Sequence, residues 1–216
     1  MIASSVIAVD PAATSDRAAV VAARMHPSPY CKITVTRLAA QRPPITQDDI
    51  VALCESAASA MPLPIFVVDV GGSLGIVAAL AARFGMRRVV GLRITAGFEH
   101  ALRPEPLMLQ RRPPLGVPVW HVSRSRLLDD LRRAVGSGSI DLPLGDATQA
   151  EALAELRREL EGIAETVSAA GRTLAVADGH DDLAMSLSYA VWAQNTFGTV
   201  ARRAPRGPAP NAAAWT

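Results

Sequence analysis

Lysine is almost missing from this chain: Lys32 stands alone among 22 basic residues in 216. Aromatics are scarce at 4%, which argues against a stacking platform for single-stranded nucleic acid and leaves the core to Ala, Val, Leu and Ile. The two cysteines, Cys31 and Cys54, belong to no C-x-x-C or Cys/His set, so neither a zinc site nor a disulfide framework is indicated, and buried free thiols are expected. No apolar run approaches membrane-spanning length, and the N-terminus lacks the basic and apolar regions of a signal peptide. A soluble, cytoplasmic protein with no membrane partner is the expectation. The chain also contains no G-x-x-x-x-G-K-[ST] phosphate loop. Half of its residues are hydrophobic, enough for one substantial core.

The net charge of +2 hides a strong asymmetry. From Arg83 to Arg133 there are 11 arginines against four acids, and from Asp141 to Asp182 there are ten acids against three arginines. A basic stretch followed by an acidic one suits a protein that brings a polyanion to an acidic, cation-binding centre. Solvated faces also carry such runs, and a GC-rich genome also favours arginine over lysine.

Ser5 to Asp10 is a short apolar strand ending in a carboxylate; a continuous run of this kind marks a central strand buried on both faces. Strands at Ala18 to Arg24 and Cys31 to Arg37 follow, completing a three-stranded antiparallel meander. In the third, Ile33, Val35 and Arg37 alternate with Thr34 and Thr36, as in an outer strand with one wet face. A helix over Thr46 to Ala60 precedes Ile65-Phe66-Val67-Val68-Asp69, a second buried strand that also ends in Asp. A helix at Leu74 to Phe84 and a strand at Val89 to Thr95 make a parallel crossover. Gly97 to Pro118, with five prolines, reads as a loop. Val117 to Val122 is a short strand, Ser123 to Val135 a helix with Leu127, Leu128 and Leu131 inward, and Ile140 to Leu142 another strand. Thr148 to Ile163 is a helix in which Thr148 and Glu151 form a capping box. A hairpin over Glu165 to Ser168 and Thr173 to Ala177 leads into a last helix from Asp181 to Phe197. Residues 1–200 are thus read as one domain, and 201–216 as a basic, Pro/Ala-rich disordered tail.

The functional candidates are carboxylates. Asp10 and Asp69 each end a buried strand, and parallel neighbours present such residues at the same C-terminal edge, where open α/β sheets place their sites. Asp181-Asp182, after Gly179-His180, opens the last helix. Either one alone is an ordinary capping residue, and Asp10 before Pro11 or Asp69 before Gly71-Gly72 an ordinary turn residue. Together they would repel unless a divalent cation fills the gap, and oxygen-only ligation favours Mg²⁺ or Mn²⁺ over zinc. Two such ions catalyse phosphodiester cleavage. His180 either orients a carboxylate, contacts a phosphate, or is a plain turn histidine; His26, His100 and His121 show no ligand spacing.

The Asp-ending strand with its meander, Val68-Asp69-Val70-Gly71-Gly72, the helix start Val122-Ser123-Arg124-Ser125-Arg126, the segment Gly138-Ser139-Ile140-Asp141-Leu142-Pro143, and Gly179-His180-Asp181-Asp182-Leu183-Ala184-Met185-Ser186-Leu187 occur here in one order. This order resembles the RNase H-like nuclease domain of the large terminase subunit of tailed bacteriophages, over roughly Ser5 to Phe197. The resemblance implies an α/β fold with a mixed central sheet, an antiparallel meander followed by parallel strands, and helices on both faces. It implies an endonuclease that cuts concatemeric double-stranded phage DNA in the host cytoplasm during packaging, using two Mg²⁺ or Mn²⁺ ions. By the same resemblance the metal-binding acids are Asp10, Asp69 and the Asp181-Asp182 pair, with Asp10 bridging the ions. Successive helical residues diverge by about 100°, so Asp182 is favoured to face Asp10, while Asp181 reaches a second ion or caps the helix. Arg111, Arg112, Arg124 and Arg126 are candidates to hold the DNA backbone, and His180 to support the acids.

Two features depart from the family pattern: Arg124 stands where a Lys is common, and the hairpin is short. The missing phosphate loop implies the nuclease part alone, with an ATPase domain, the portal and the small terminase subunit as partners. Competing classes are a Holliday-junction resolvase with the same acids, a DNA-binding packaging module with an idle centre, and, more remotely, an actin- or sugar-kinase-like ATP-binding domain suggested by Asp69-Val70-Gly71-Gly72-Ser73.

Overall fold

The computed structural model describes residues 4–11, 17–26, 32–71, 74–95, 105–106, 116–144, 146–167, 173–177 and 180–198. Among these residues ten strands and five α-helices follow one another as β1 Ser5–Asp10, β2 Ala18–Met25, β3 Ile33–Gln41, α1 Gln47–Ala58, β4 Ile65–Asp69, α2 Leu74–Phe84, β5 Val89–Thr95, β6 Glu105–Pro106, β7 Pro118–Ser123, α3 Arg124–Gly136, β8 Ile140–Asp141, α4 Ala150–Glu161, β9 Ile163–Val167, β10 Thr173–Ala177 and α5 Asp182–Ala193. Eight strands form one mixed sheet in the order β6-β7-β5-β4-β1-β2-β3-β8. The β1-β2-β3 meander is antiparallel, and β1, β4, β5 and β7 run parallel.

The apolar runs of β1 and β4 lack alternation because both faces of the sheet are covered. Val6, Ala8, Ile65 and Val67 enter one core with α3, α4 and α5; Ile7, Val9, Phe66 and Val68 enter the other with α1 and α2. With side chains alternating between faces, Asp10 and Asp69 fall on the same side as Ala8 and Val67, which is the side of α5. Buried from Leu183 to Ala193, α5 lies between the sheet and the helices around it. Three of the few aromatics fix its far end: Trp192 meets Trp120 and Phe197 edge-on, with ring centroids 5.7 and 5.5 Å apart. The hairpin β9-β10 is a separate two-stranded sheet, tied to α3 by the ion pair between Arg132 and Glu165.

Several local expectations are corrected. A bulge between Ala22 and Ala23 shifts the pairing with β3, so the alternation seen at Ile33 and Val35 breaks and Leu38, rather than Arg37, is buried. β3 is also not outermost, since β8 pairs with Ile33 and Thr34, and farther along its outer edge the amide of Gln149 accepts the Leu38 N–H at 2.7 Å. The capping box at Thr148 and Glu151 does not form. Asp146 accepts from the Thr148 N–H and hydroxyl instead, opening a 3₁₀ turn at Ala147–Gln149 before α4 begins. The box that does form pairs Thr46 with Asp49 at the start of α1. The last helix passes into a π-helical turn at Gln194–Gly198. Within the expected loop from Gly97 to Pro118, Glu105 and Pro106 pair antiparallel with β7; most of that loop, with Arg111 and Arg112, lies outside the described residues, as do Cys31, His100 and the 201–216 tail. Cys54 is buried and free.

Candidate metal centre

The site grows from strand register. Val9 pairs with Val68 in the parallel β1-β4 ladder, so the next residues, Asp10 and Asp69, are neighbours across one strand spacing of about 4.8 Å. They leave the sheet together at its C-terminal edge, on the α5 side. Asp69 folds back on its own turn: its Oδ1 accepts the Gly71 N–H at 2.8 Å. A Cβ at position 71 would lie 3.3 Å from Asp69 Oδ1 and press on that carboxylate. In the phosphate-turn likeness, Gly72 and Ser73 fall outside the described residues.

Helix α5 is delivered to the same edge by two side chains that the sequence reading had not singled out. Ser186, one turn after Asp182 and wholly buried, accepts the Asp10 N–H at 3.0 Å and donates to the Ala19 carbonyl at 2.9 Å. One hydroxyl thus joins α5 to β1 and β2 beside the acid. From α4, Glu159 accepts the Ala184 N–H at 2.8 Å, capping α5 from outside the helix. Both carried a faint signal: Ser186 is polar inside an otherwise apolar helix face, and Glu159 occupies the inward position that follows Leu153 and Leu156 at helical spacing.

Asp181 holds the N-cap position, and its carbonyl accepts the Met185 N–H at 2.7 Å, but its side chain makes no capping bond. Its Oδ2 instead accepts Arg124 Nη2 at 2.5 Å. Arg124 begins α3 just past β7, with Ser123 as the cap that accepts the Arg126 N–H. Arg126 itself pairs with Asp130 on its own helix at 3.3 Å, and His180 is exposed.

Electrostatics tie these elements into one cluster. Burial, then the charges of Asp69, Asp182 and Asp181, push the Asp10 carboxyl well above its ordinary range, with Arg124 pulling the other way. Burial also raises Asp69, against the Gly71 hydrogen bond and Arg124, which lower it. Glu159 is pushed up to about 7, first by burial and further by Asp182 and Asp181, despite its backbone hydrogen bonds. Even the buried Tyr189 phenol on α5 is raised, by burial and then by Asp10 and Asp69. The donor set is all oxygen and strongly anionic, which suits a hard divalent cation rather than zinc. Among the described residues, no group of three or more His, Cys, Asp or Glu side chains forms a ready-made metal cage.

The mixed sheet, an antiparallel meander continued by parallel strands with helices on both faces, is the RNase H-like α/β fold. No protein-family model and no curated protein sequence matches the chain. Solved structures do. The large terminase nuclease from thermophilic phage G20c, with bound magnesium or with bound cobalt, superposes with a TM-score of 0.56 at 18% identity, over 87% of this chain and 80% of that one. The large terminase nuclease domain of Thermus phage P74-26 gives 0.52 at 17% identity, over 86% of this chain and 77% of that one. The chain has the fold of the large terminase nuclease domains.

Proposed function

We propose that this protein is a divalent-metal-dependent DNA endonuclease acting in phage genome packaging. The observation that carries the reading is the meeting of Asp10, Asp69 and the acidic start of α5 at one sheet edge, where burial and then the neighbouring carboxylates drive up the proton affinity of Asp10. A cluster that disfavours its own ionisation is stabilised by a divalent cation. The metal-bound G20c structures share the fold and support the choice of ion class.

In this reading Asp10, Asp69, Asp182 and Asp181 would hold two Mg²⁺ or Mn²⁺ ions. Bound there, the ions would supply an activated water and charge stabilisation for the leaving oxygen. The chain's own part is positional. The Gly71 N–H orients Asp69, Ser186 holds Asp182's helix against Asp10, and Glu159 satisfies the helix start whose acids act on Asp10. Arg124 and Arg126, on the first turn of α3, would meet backbone phosphates, and Arg111 and Arg112, outside the described residues, are assigned the same role from the sequence alone. Contacts of that kind read no base sequence, so binding weakens with salt and cutting is not sequence-specific. Double-stranded DNA is the substrate, and a terminase ATPase domain, the portal and the small subunit are the assembly partners this role requires.

Incubation with supercoiled plasmid and Mn²⁺ tests the reading. Nicked and linear products are expected from the wild type and none from Asp10→Ala; identical behaviour of the two proteins, with or without cleavage, overturns it. Branched and linear DNA compared side by side separate a packaging nuclease from a junction resolvase.

A further inference from the structure

The ion pair between Arg124 and Asp181 is more specific than charge neutralisation demands. Building on the nuclease reading, we propose that Arg124 and a divalent ion compete for the Asp181 carboxylate: Arg124 is the site's internal counter-ion before metal enters, and it transfers to a DNA phosphate as metal and substrate assemble.

Three features lead there. First, Asp181 is released from the task its position suggests. An N-cap Asp ordinarily accepts a backbone N–H of the first turn, but here Glu159 takes the Ala184 N–H and the Asp181 carboxylate faces Arg124. Losing Arg124 would therefore leave the helix start capped. Second, the two partners differ in freedom: the Asp181 side chain is 11% exposed and the Arg124 side chain 48%. The acid is fixed while the cation reaches solvent, so the guanidinium is the partner able to swing. Third, the charge of Arg124 acts on Asp10 and Asp69 as well as on Asp181, so it occupies the electrostatic place a metal would take. A guanidinium binds carboxylate and phosphate through the same forked donors and is weakly hydrated, so an arriving phosphate offers an equivalent partner. Other arginines of α3 do not share this arrangement: Arg126 and Arg133 pair with acids of their own helix, and Arg132 pairs with Glu165 of the hairpin, an acid outside the Asp10 cluster.

Calorimetric titration with Mn²⁺, without DNA, tests the exchange. Arg124→Gln should bind Mn²⁺ about two- to fivefold more tightly than the wild type, the range expected for a half-exposed ion pair, while nicking plasmid more slowly. Arg133→Gln should leave the Mn²⁺ affinity unchanged, and in an Asp181→Asn background Arg124→Gln should lose most of its effect, keeping only what its charge does at Asp10 and Asp69. If Arg124→Gln fails to fold, Arg124→Lys, which keeps the charge but loses the fork, should tighten binding in the same direction by less. Unchanged or weaker Mn²⁺ binding in the folded Arg124 variants overturns the exchange, and if the wild type still nicks plasmid the nuclease reading survives it. A wild type that binds no Mn²⁺ overturns both.

Discussion

Removal of the Ser186 hydroxyl should loosen the joint between α5 and the sheet in a way that its neighbour Ser188 does not. Both serines are 0% exposed on the same helix. Ser188 donates to the Met185 carbonyl within its own helix, so Ser188→Ala removes a local bond and costs about 1 kcal/mol or less. Ser186→Ala strands the Asp10 N–H and the Ala19 carbonyl together. Each unmet buried group costs about 1–3 kcal/mol, and partial relaxation brings the pair to roughly 2–4 kcal/mol. For a domain of this size, about 1 kcal/mol moves Tm by 2–4 °C, so Ser186→Ala should melt roughly 4–16 °C lower and Ser188→Ala within about 4 °C of wild type. Scanning calorimetry in EDTA measures both, and a repeat with Mn²⁺ should show a smaller metal-induced rise in Tm for Ser186→Ala than for wild type, because the Asp182 helix is no longer held to Asp10. Equal melting of the two variants, or an undiminished metal response, would refute this role for Ser186.

Stability of the metal-free protein should fall as pH rises from about 4.5 to 7. The raised carboxyls of Glu159, Asp10 and Asp69 make the folded state bind more protons than the unfolded one in that window, so their favourable contribution is complete below the unfolded pKa and lost as pH rises through the folded one. Glu159→Gln, measured by urea melts in EDTA, should flatten that slope by about 1–2 kcal/mol, less than the full shift implies because water screens the group. Gly71→Ala, whose Cβ would crowd Asp69 Oδ1 at 3.3 Å, should cut plasmid nicking several-fold with little change in Tm; undiminished nicking would show that the Asp69 carboxylate tolerates displacement. Gly91→Val should destabilise by about 1–3 kcal/mol, since even a Cβ there would meet Val70 Cγ1 at 2.7 Å and Val119 Cγ2 at 3.0 Å, and a urea melt within 0.5 kcal/mol of wild type would contradict that close packing.

The sheet was largely legible because its central strands are buried on both faces and therefore continuous in apolar residues: β1 and β4 run Ser5–Asp10 and Ile65–Asp69, with Asp at each end. The acidic edge followed from topology, since parallel neighbours must release their last residues side by side. Features set by tertiary contact were not legible. The bulge, an extra β3 residue at Thr36 opposite the Ala22–Ala23 step, inverts the pattern at Leu38, and it is set by cross-strand pairing that no turn or breaker residue in β3 announces. The false capping box at Thr148 obeyed the right spacing, but Asp146, two residues earlier, competes for the same N–H through a tighter local turn. Glu159 and Ser186 are polar residues at apolar positions, a pattern that says a partner exists without naming it. The basic stretch marks Arg124 as a cation for DNA, and the fold gives it a carboxylate partner, Asp181, that lies 57 residues away in the chain.

Anomalous diffraction from a crystal soaked in Mn²⁺ bears most directly on the central claim, that Asp10, Asp69 and the start of α5 form one metal centre. The account predicts Mn²⁺ peaks bound by the Asp10 carboxylate and shared with Asp69 and Asp182, absent from Asp10→Asn crystals. Mn²⁺ found only at other carboxylates, with the Asp10 edge empty, would contradict it.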